Sequence, residues 1–192
     1  MYKLVFVLFF VYCSVSVYSQ TDTSRVYTSL SEALKKPEQV YKLRLSKLNL
    51  KEFPIEILQL KNLQYLDLSK NKIVKIPSEI KQLNNLKVLN ISKNKIESLP
   101  DEICELTQLE KLIANQNELV KLPEKIGDLQ KLLVLDLWDT EITYLPESVQ
   151  YLKNLKLLDL RHIQLNLREQ EAIKKLLPDT KIHFSPACNC GN

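Results

Sequence analysis

The residues of this 192-residue chain that could do chemistry are two histidines, His162 and His183, three cysteines past the first nineteen residues, Cys104, Cys188 and Cys190, and two aspartates, Asp136 and Asp159. Neither histidine stands near a cysteine or serine in a nucleophile motif, so acyl transfer finds no triad. Cys188 and Cys190, with no histidine beside them, are half of a zinc site at best. Asp136 and Asp159 offer a cation no further oxygen ligands. Gly127 and Gly191 are the only glycines, which excludes a glycine-rich phosphate loop. The expectation is a protein that is not an enzyme and uses no metal and no cofactor.

Recognition is the chemistry that remains, and its strongest candidate is the single tryptophan. Trp138 sits in "LDLWDTEI" (135–142), a frame that also reads "LDLSKNKI" at 66–73 and "LNISKNKI" at 89–96. Whether Trp138 fills a core or faces outward depends on the elements that carry this frame.

Those elements repeat. Residues 40–62, 63–85, 86–108, 109–131 and 132–154 are consecutive segments of equal length without an insertion, and a sixth begins at Leu155. A fixed period of this size means a solenoid whose units bury their apolar faces only against one another. Counting each segment from its first residue, apolar side chains fall at positions 1, 4, 6, 11, 14, 18 and 21; in the second these are Leu63, Leu66, Leu68, Ile73, Ile76, Ile80 and Leu83. Positions 4 and 6 alternate with 3, 5 and 7, the period of a short strand buried on one face. Successive coils must stack such strands into a parallel sheet. Position 15 is Pro54, Pro77, Pro100, Pro123 and Pro146, which lack a backbone donor, so that side is not a ladder strand.

The frame "LxxLxLxxNxI" followed by "xxLPxxIxxL" resembles the leucine-rich repeat, over residues 40–165. The resemblance implies an α/β solenoid with a parallel sheet on its concave face and short helical caps at both ends. Position 9 holds Asn71, Asn94 and Asn117, expected to satisfy backbone groups of their own coil and the next one, with Thr140 substituting a hydroxyl. A helix after Ser29 is expected to cap the first coil. One after Asn166, with Ala172, Ile173, Leu176 and Leu177 as its apolar stripe, and a strand at "KIHF" are expected to cap the last, over 166–184. The cysteine-rich caps of animal extracellular members are absent, so the chain more closely resembles small bacterial ones.

Positions 3, 5 and 7 of each strand then face away from the core. Trp138, at position 7, points outward. With it the fold places Tyr65, Val88, Ile113, Val134, Asp136, Leu157, Asp159 and Arg161 on the concave face, rimmed by Asp139 and His162. Apolar groups that folding does not need, ringed by charge, resemble a protein-binding surface. The competing account is that Trp138 stacks on Arg161 of the next strand and only stabilises the sheet. A second candidate is a ladder of like charges, Lys47, Lys70 and Lys93 at position 8 with Lys72 and Lys95 at position 10, which a sulfated glycan would relieve.

Before the repeats, residues 1–19 have a basic start at Lys3, an apolar run from Leu4 to Val11 and small residues near Ser19, the pattern of a secretory signal cut before Gln20. The run is too short to span a bilayer, so no transmembrane segment is expected after cleavage. Residues 20–39 read as a linker and capping helix, and 185–192 as a flexible tail. An odd cysteine count in an exported chain leaves a thiol unpaired, or linked to another chain through Cys188 or Cys190; otherwise a monomer is expected. The formal charge of +4 does not argue for nucleic acid. The function expected is that of an exported (secreted, periplasmic or surface) module binding a protein on its concave face. The alternatives are glycan binding through the lysines, or an intracellular scaffold or phosphatase-type regulator.

Overall fold

The structure, a computed structural model, describes residues 22–186. The expected signal segment at 1–19 and the tail cysteines Cys188 and Cys190 lie outside the described residues. Eight short strands form one sheet, parallel throughout and in chain order: β1 (Val26–Tyr27), β2 (Lys42–Arg44), β3 (Tyr65–Asp67), β4 (Val88–Asn90), β5 (Lys111–Ile113), β6 (Val134–Asp136), β7 (Leu157–Leu160) and β8 (Lys181–Phe184). The six coil strands pair position for position, Leu66 beside Leu89 and Leu89 beside Leu112. All seven apolar positions of the second coil are completely buried, each worth about 1.5–3 kcal/mol by transfer from water.

Proline sets the opposite side of each coil. Pro54, Pro77, Pro100 and Pro146 stand immediately before the 3-10 turns Ile55–Gln59, Ser78–Gln82, Asp101–Glu105 and Glu147–Tyr151, at φ between −64 and −74°. Each prolyl carbonyl accepts the N–H three residues on, as Pro77 does from Ile80 at 3.1 Å. Strand and 3-10 turn thus form the two faces of every coil.

Two amide ladders tie the coils together. Asn94 donates through Nδ2 to Ile91 O (2.9 Å) in its own coil and to Leu68 O (3.0 Å) in the coil before, while its Oδ1 accepts Ile73 N–H of that earlier coil (3.0 Å). Asn71 and Asn117 repeat the pattern. The partner is the preceding coil, not the next. The cause is that the N–H groups of Leu48, Leu50, Ile73 and Ile96 point up the stack and take their acceptor from the coil above, whereas those of Lys72 and Lys95 point down to Leu50 O and Ile73 O. Thr140 makes a single bond, to Leu137 O of its own coil. A second ladder runs at position 23, where Asn62 donates to Glu38 O in the turn ahead of the first coil, and Asn85 and Asn154 donate to Lys61 O and Gln130 O of the coil before. Asn94→Ala orphans backbone groups in two coils and is expected to cost about 1–3 kcal/mol in denaturant melts, Thr140→Ala less. Equal melts for Asn94→Ala and wild type would contradict this linkage.

Both ends of the stack are covered. Helix α1 (Leu30–Ala33) starts at Ser29, whose hydroxyl accepts Glu32 N–H, and β1 pairs with β2, an added strand with no signature in the sequence. Helix α2 (Leu167–Leu176) opens with a full capping box between Asn166 and Glu169. Its buried face is Gln170, Ile173 and Leu177, with Leu176 partly buried. Ala172, expected in that stripe, is exposed. Gln170 takes its place because spacings of three and four residues set it in line with Ile173 and Leu177, and its amide donates to Leu165 O at 3.1 Å.

Candidate functional site

On the concave face the rows predicted from the repeat run strand to strand. Tyr65, Val88, Lys111, Val134 and Leu157 stand side by side at position 3. Arg44, Asp67, Asn90, Ile113, Asp136 and Asp159 do so at position 5. Exposed Lys111 stands in this row between Tyr65 and Val88 on one side and Val134 and Leu157 on the other. Val88, Ile113, Val134 and Leu157 are half-buried rather than freely exposed. Neighbouring strands only ~5 Å apart cover the flanks of each side chain and leave its tip to solvent.

The aspartates have local work. The carboxylates of Asp67, Asp136 and Asp159 accept the N–H two residues on, from Ser69 (2.9 Å), Trp138 (3.2 Å) and Arg161 (3.2 Å), and the amide oxygen of Asn90 does the same for Ser92. Position 5 therefore closes the ends of β3, β4, β6 and β7 with an Asx turn, which Arg44 and Ile113 in β2 and β5 cannot make. Asp159, expected among the outward-facing residues of the concave face, is buried. Burial alone would disfavour its charge, but the hydrogen bonds and charge of Arg161, aided by His183, outweigh this and hold its carboxyl below the usual aspartate range. A carboxyl so depressed stabilises the fold above the pH at which an unfolded aspartate titrates, and that stability is lost as pH falls through the folded value.

Trp138 is half-buried at position 7. Its ring meets His162 edge-on at 5.7 Å between centroids, and the Arg161 guanidinium lies 5.9 Å away. That guanidinium forks onto Asp159, with Nη2 at 2.6 Å and Nε at 2.9 Å, so the indole stands beside a cation already fixed by its own partner. His162 Nδ1 lies 3.5 Å from Asp139 at the rim. Trp138, Arg161, His162, Asp139, Asp136 and Asp159 are thus one connected group, continued by Asn115, which donates to Asp136 at 2.6 Å.

Beside it, where Thr140 replaces the ladder asparagine, the bond to the preceding coil is missing. A groove of about 650 Å³ opens there, lined among others by Gln116, Asp139, Thr140, Glu141 and His162. The lysines Lys47, Lys70, Lys72, Lys93 and Lys95 are all exposed and make no ion pair among the described residues. Cys104 is a buried free thiol whose pKa burial pushes up to about 12, which makes it unreactive. No group of three potential metal ligands occurs among the described residues. None of their helices is long and apolar enough to cross a membrane.

Residues 43–120 match a family model described as a leucine-rich repeat region. Among solved structures the chain is similar to a leucine-rich repeat protein of Leptospira interrogans, 33% identical, covering 85% of this chain and 48% of that one with a TM-score of 0.67. It is similar in fold to an internalin, InlF, of Listeria monocytogenes (22% identical, 78% of this chain, 43% of that one, TM-score 0.58). The functional domain of InlJ from Listeria monocytogenes is alike to a comparable degree (23%, 74%, 29%, TM-score 0.62). The chain spans about half the length of these structures or less. No curated protein sequence matches it.

Proposed function

Because the chain is a leucine-rich repeat protein of the bacterial type, a stack of coils with one sheet face free, we propose that it is an exported, non-enzymatic module that binds a protein on the concave face of its last three coils. The observation that carries this is the connected group around Trp138. A large aromatic and an arginine stand on a rigid sheet with their polar partners in place, beside the half-covered aliphatics Ile113, Val134 and Leu157. Side chains already ordered lose little further freedom on binding, which favours association. Aromatic and arginine groups are also the types that most often dominate such contacts.

The test is capture of proteins from envelope and host extracts by the wild type and by a Val134→Glu, Leu157→Glu variant with an unchanged melt. A protein retained by the first and lost by the second supports the concave face. Equal capture places the surface elsewhere.

Export is tested separately. The pattern of residues 1–19 supports a mature chain beginning at Gln20, and intact-mass measurement of protein from the producing cells is expected to show the loss of residues 1–19. A mass that retains Tyr2 to Ser19 in a cytosolic protein would favour an intracellular scaffold instead.

A further inference from the structure

We propose that the chain pairs with a second copy of itself through the edge of the stack that follows the strands, in an antiparallel two-fold arrangement. Positions 8 and 10 of each coil, flanking the inward-facing residue at 9, form this edge. Position 8 is Lys47, Lys70 and Lys93 in the first three coils, then Gln116, Asp139 and His162, and all six have left-handed backbone, with φ between 53 and 63°. A shared backbone conformation sends the six side chains off the stack in one row. At position 10, Lys72 and Lys95 in the second and third coils give way to Glu118 and Glu141 in the fourth and fifth. One edge is therefore basic over its first half and acidic over its second.

Neither half is neutralised among the described residues. Glu118 and Glu141, like the five lysines, make no ion pair among the described residues, and the only one of Asp139 is with the His162 imidazole. Like charges on coils about 5 Å apart repel one another, and an opposite charge across an interface removes that repulsion.

A second copy of the chain carries the opposite charges at matching spacing. A two-fold axis in the contact plane, passing between the third and fourth coils, lays the first coil on the sixth, the second on the fifth and the third on the fourth. Position 8 then meets position 8, and 10 meets 10. Lys70 faces the partner's Asp139, Lys72 the partner's Glu141 and Lys95 the partner's Glu118, and the symmetry makes each contact twice. Where no opposite pair falls, the partner is uncharged or weakly basic: Lys93 faces Gln116, Asn49 faces Gln164 and Lys47 faces His162. Leu48, 51% exposed where the next three coils carry asparagine, comes to lie on the sixth coil beside the groove at His162.

The register is fixed as well as permitted. Sliding one copy by a single coil in one direction sets Lys93 on Lys93 and Lys95 on Lys95; sliding it the other way sets Glu118 on Glu118. Such like-charge oppositions select one alignment.

Sedimentation of the purified chain tests this. At about 0.05 M salt a dimer is expected, and near 1 M, where screening acts within ~3 Å, a monomer. Lys72→Glu with Lys95→Glu, and separately Glu118→Lys with Glu141→Lys, change only exposed side chains, so both variants should melt as the wild type does. Each alone is expected to weaken self-association by about a hundredfold, since like charges then face one another. An equimolar mixture of the two restores every opposite pair and is expected to form mixed dimers within about tenfold of wild-type affinity. A wild type that is monomeric at low salt overturns the proposal, as does either variant dimerising at full strength or a mixture that fails to pair. A monomeric wild type retained on heparin would assign the lysines to a polyanion instead. Trp138 is not in this contact, so failure here leaves the concave-face function standing.

Discussion

Gly127→Ala is expected to lower the melting temperature by about 2–8 °C, against the ~1 kcal/mol stabilisation that alanine brings to an ordinary helical glycine. Gly127 lies buried in the 3-10 turn Ile126–Asp128 of the fourth coil, directly against the fifth. A Cβ there would stand 2.1 Å from the carbonyl oxygen of Ser148 and 2.9 Å from its carbonyl carbon. Both are backbone atoms, so no rotamer change relieves the overlap and the two coils must separate. Their separation also loosens Gln130, whose amide donates both to Gly127 O and to Tyr151 O of the fifth coil. Overpacking of this kind costs about 1–3 kcal/mol, which decides the sign over helix propensity. A Gly127→Ala protein as stable as wild type, measured by calorimetry, would show that the coils approach less closely than this.

Trp138→Ser is the second. Serine occupies this position in the first three coils, as Ser46, Ser69 and Ser92, so the sheet accommodates it. The backbone bonds of residue 138, its N–H to Asp136 and its carbonyl from Gln116 N–H, do not involve the indole. Arg161 keeps its fork on Asp159 without the ring. What stability loses is an edge contact with His162, a cation contact and the covered half of the ring, together about 2 kcal/mol. Binding to a concave-face partner should weaken by at least ~2 kcal/mol, about thirtyfold, in titration calorimetry. A variant that unfolds readily makes Trp138 a structural residue, and one that binds at full strength moves the surface away from the last three coils.

How much of this was legible in the sequence differs from feature to feature, for physical reasons. The coil, its strand and its buried positions follow from apolar periodicity, because side-chain burial and the repeat are the same fact seen twice. The asparagines at position 9 stand out because a polar residue recurs among leucines. The second ladder at Asn62, Asn85 and Asn154 does not, since amides in a polar turn look like ordinary loop residues. Strand β1 has two residues, too few to show any period. At the candidate site, Trp138, Arg161 and His162 could be placed on one face from the frame alone. The Asx turns that bind Asp136 and Asp159 to their own strands could not, because an aspartate on an outward row reads equally as rim or as turn. The half-burial of Val134 and Leu157 depends on how tightly neighbouring strands flank each other, which a single strand does not contain.

The amide ladder gives the stack a direction, like a zip whose teeth all lean one way. Each asparagine at position 9 reaches back, so at this edge a coil is held by the coil that follows it. Thr140 is the missing tooth. Its hydroxyl stays within its own coil, and Leu119 N–H, the counterpart of Ile73 and Ile96, meets no amide oxygen above it. The fourth and fifth coils remain joined through their strands and through Gln130. Their seam is therefore fastened less densely at the edge beside Trp138 than the seams before it, and local opening of the stack is easiest there.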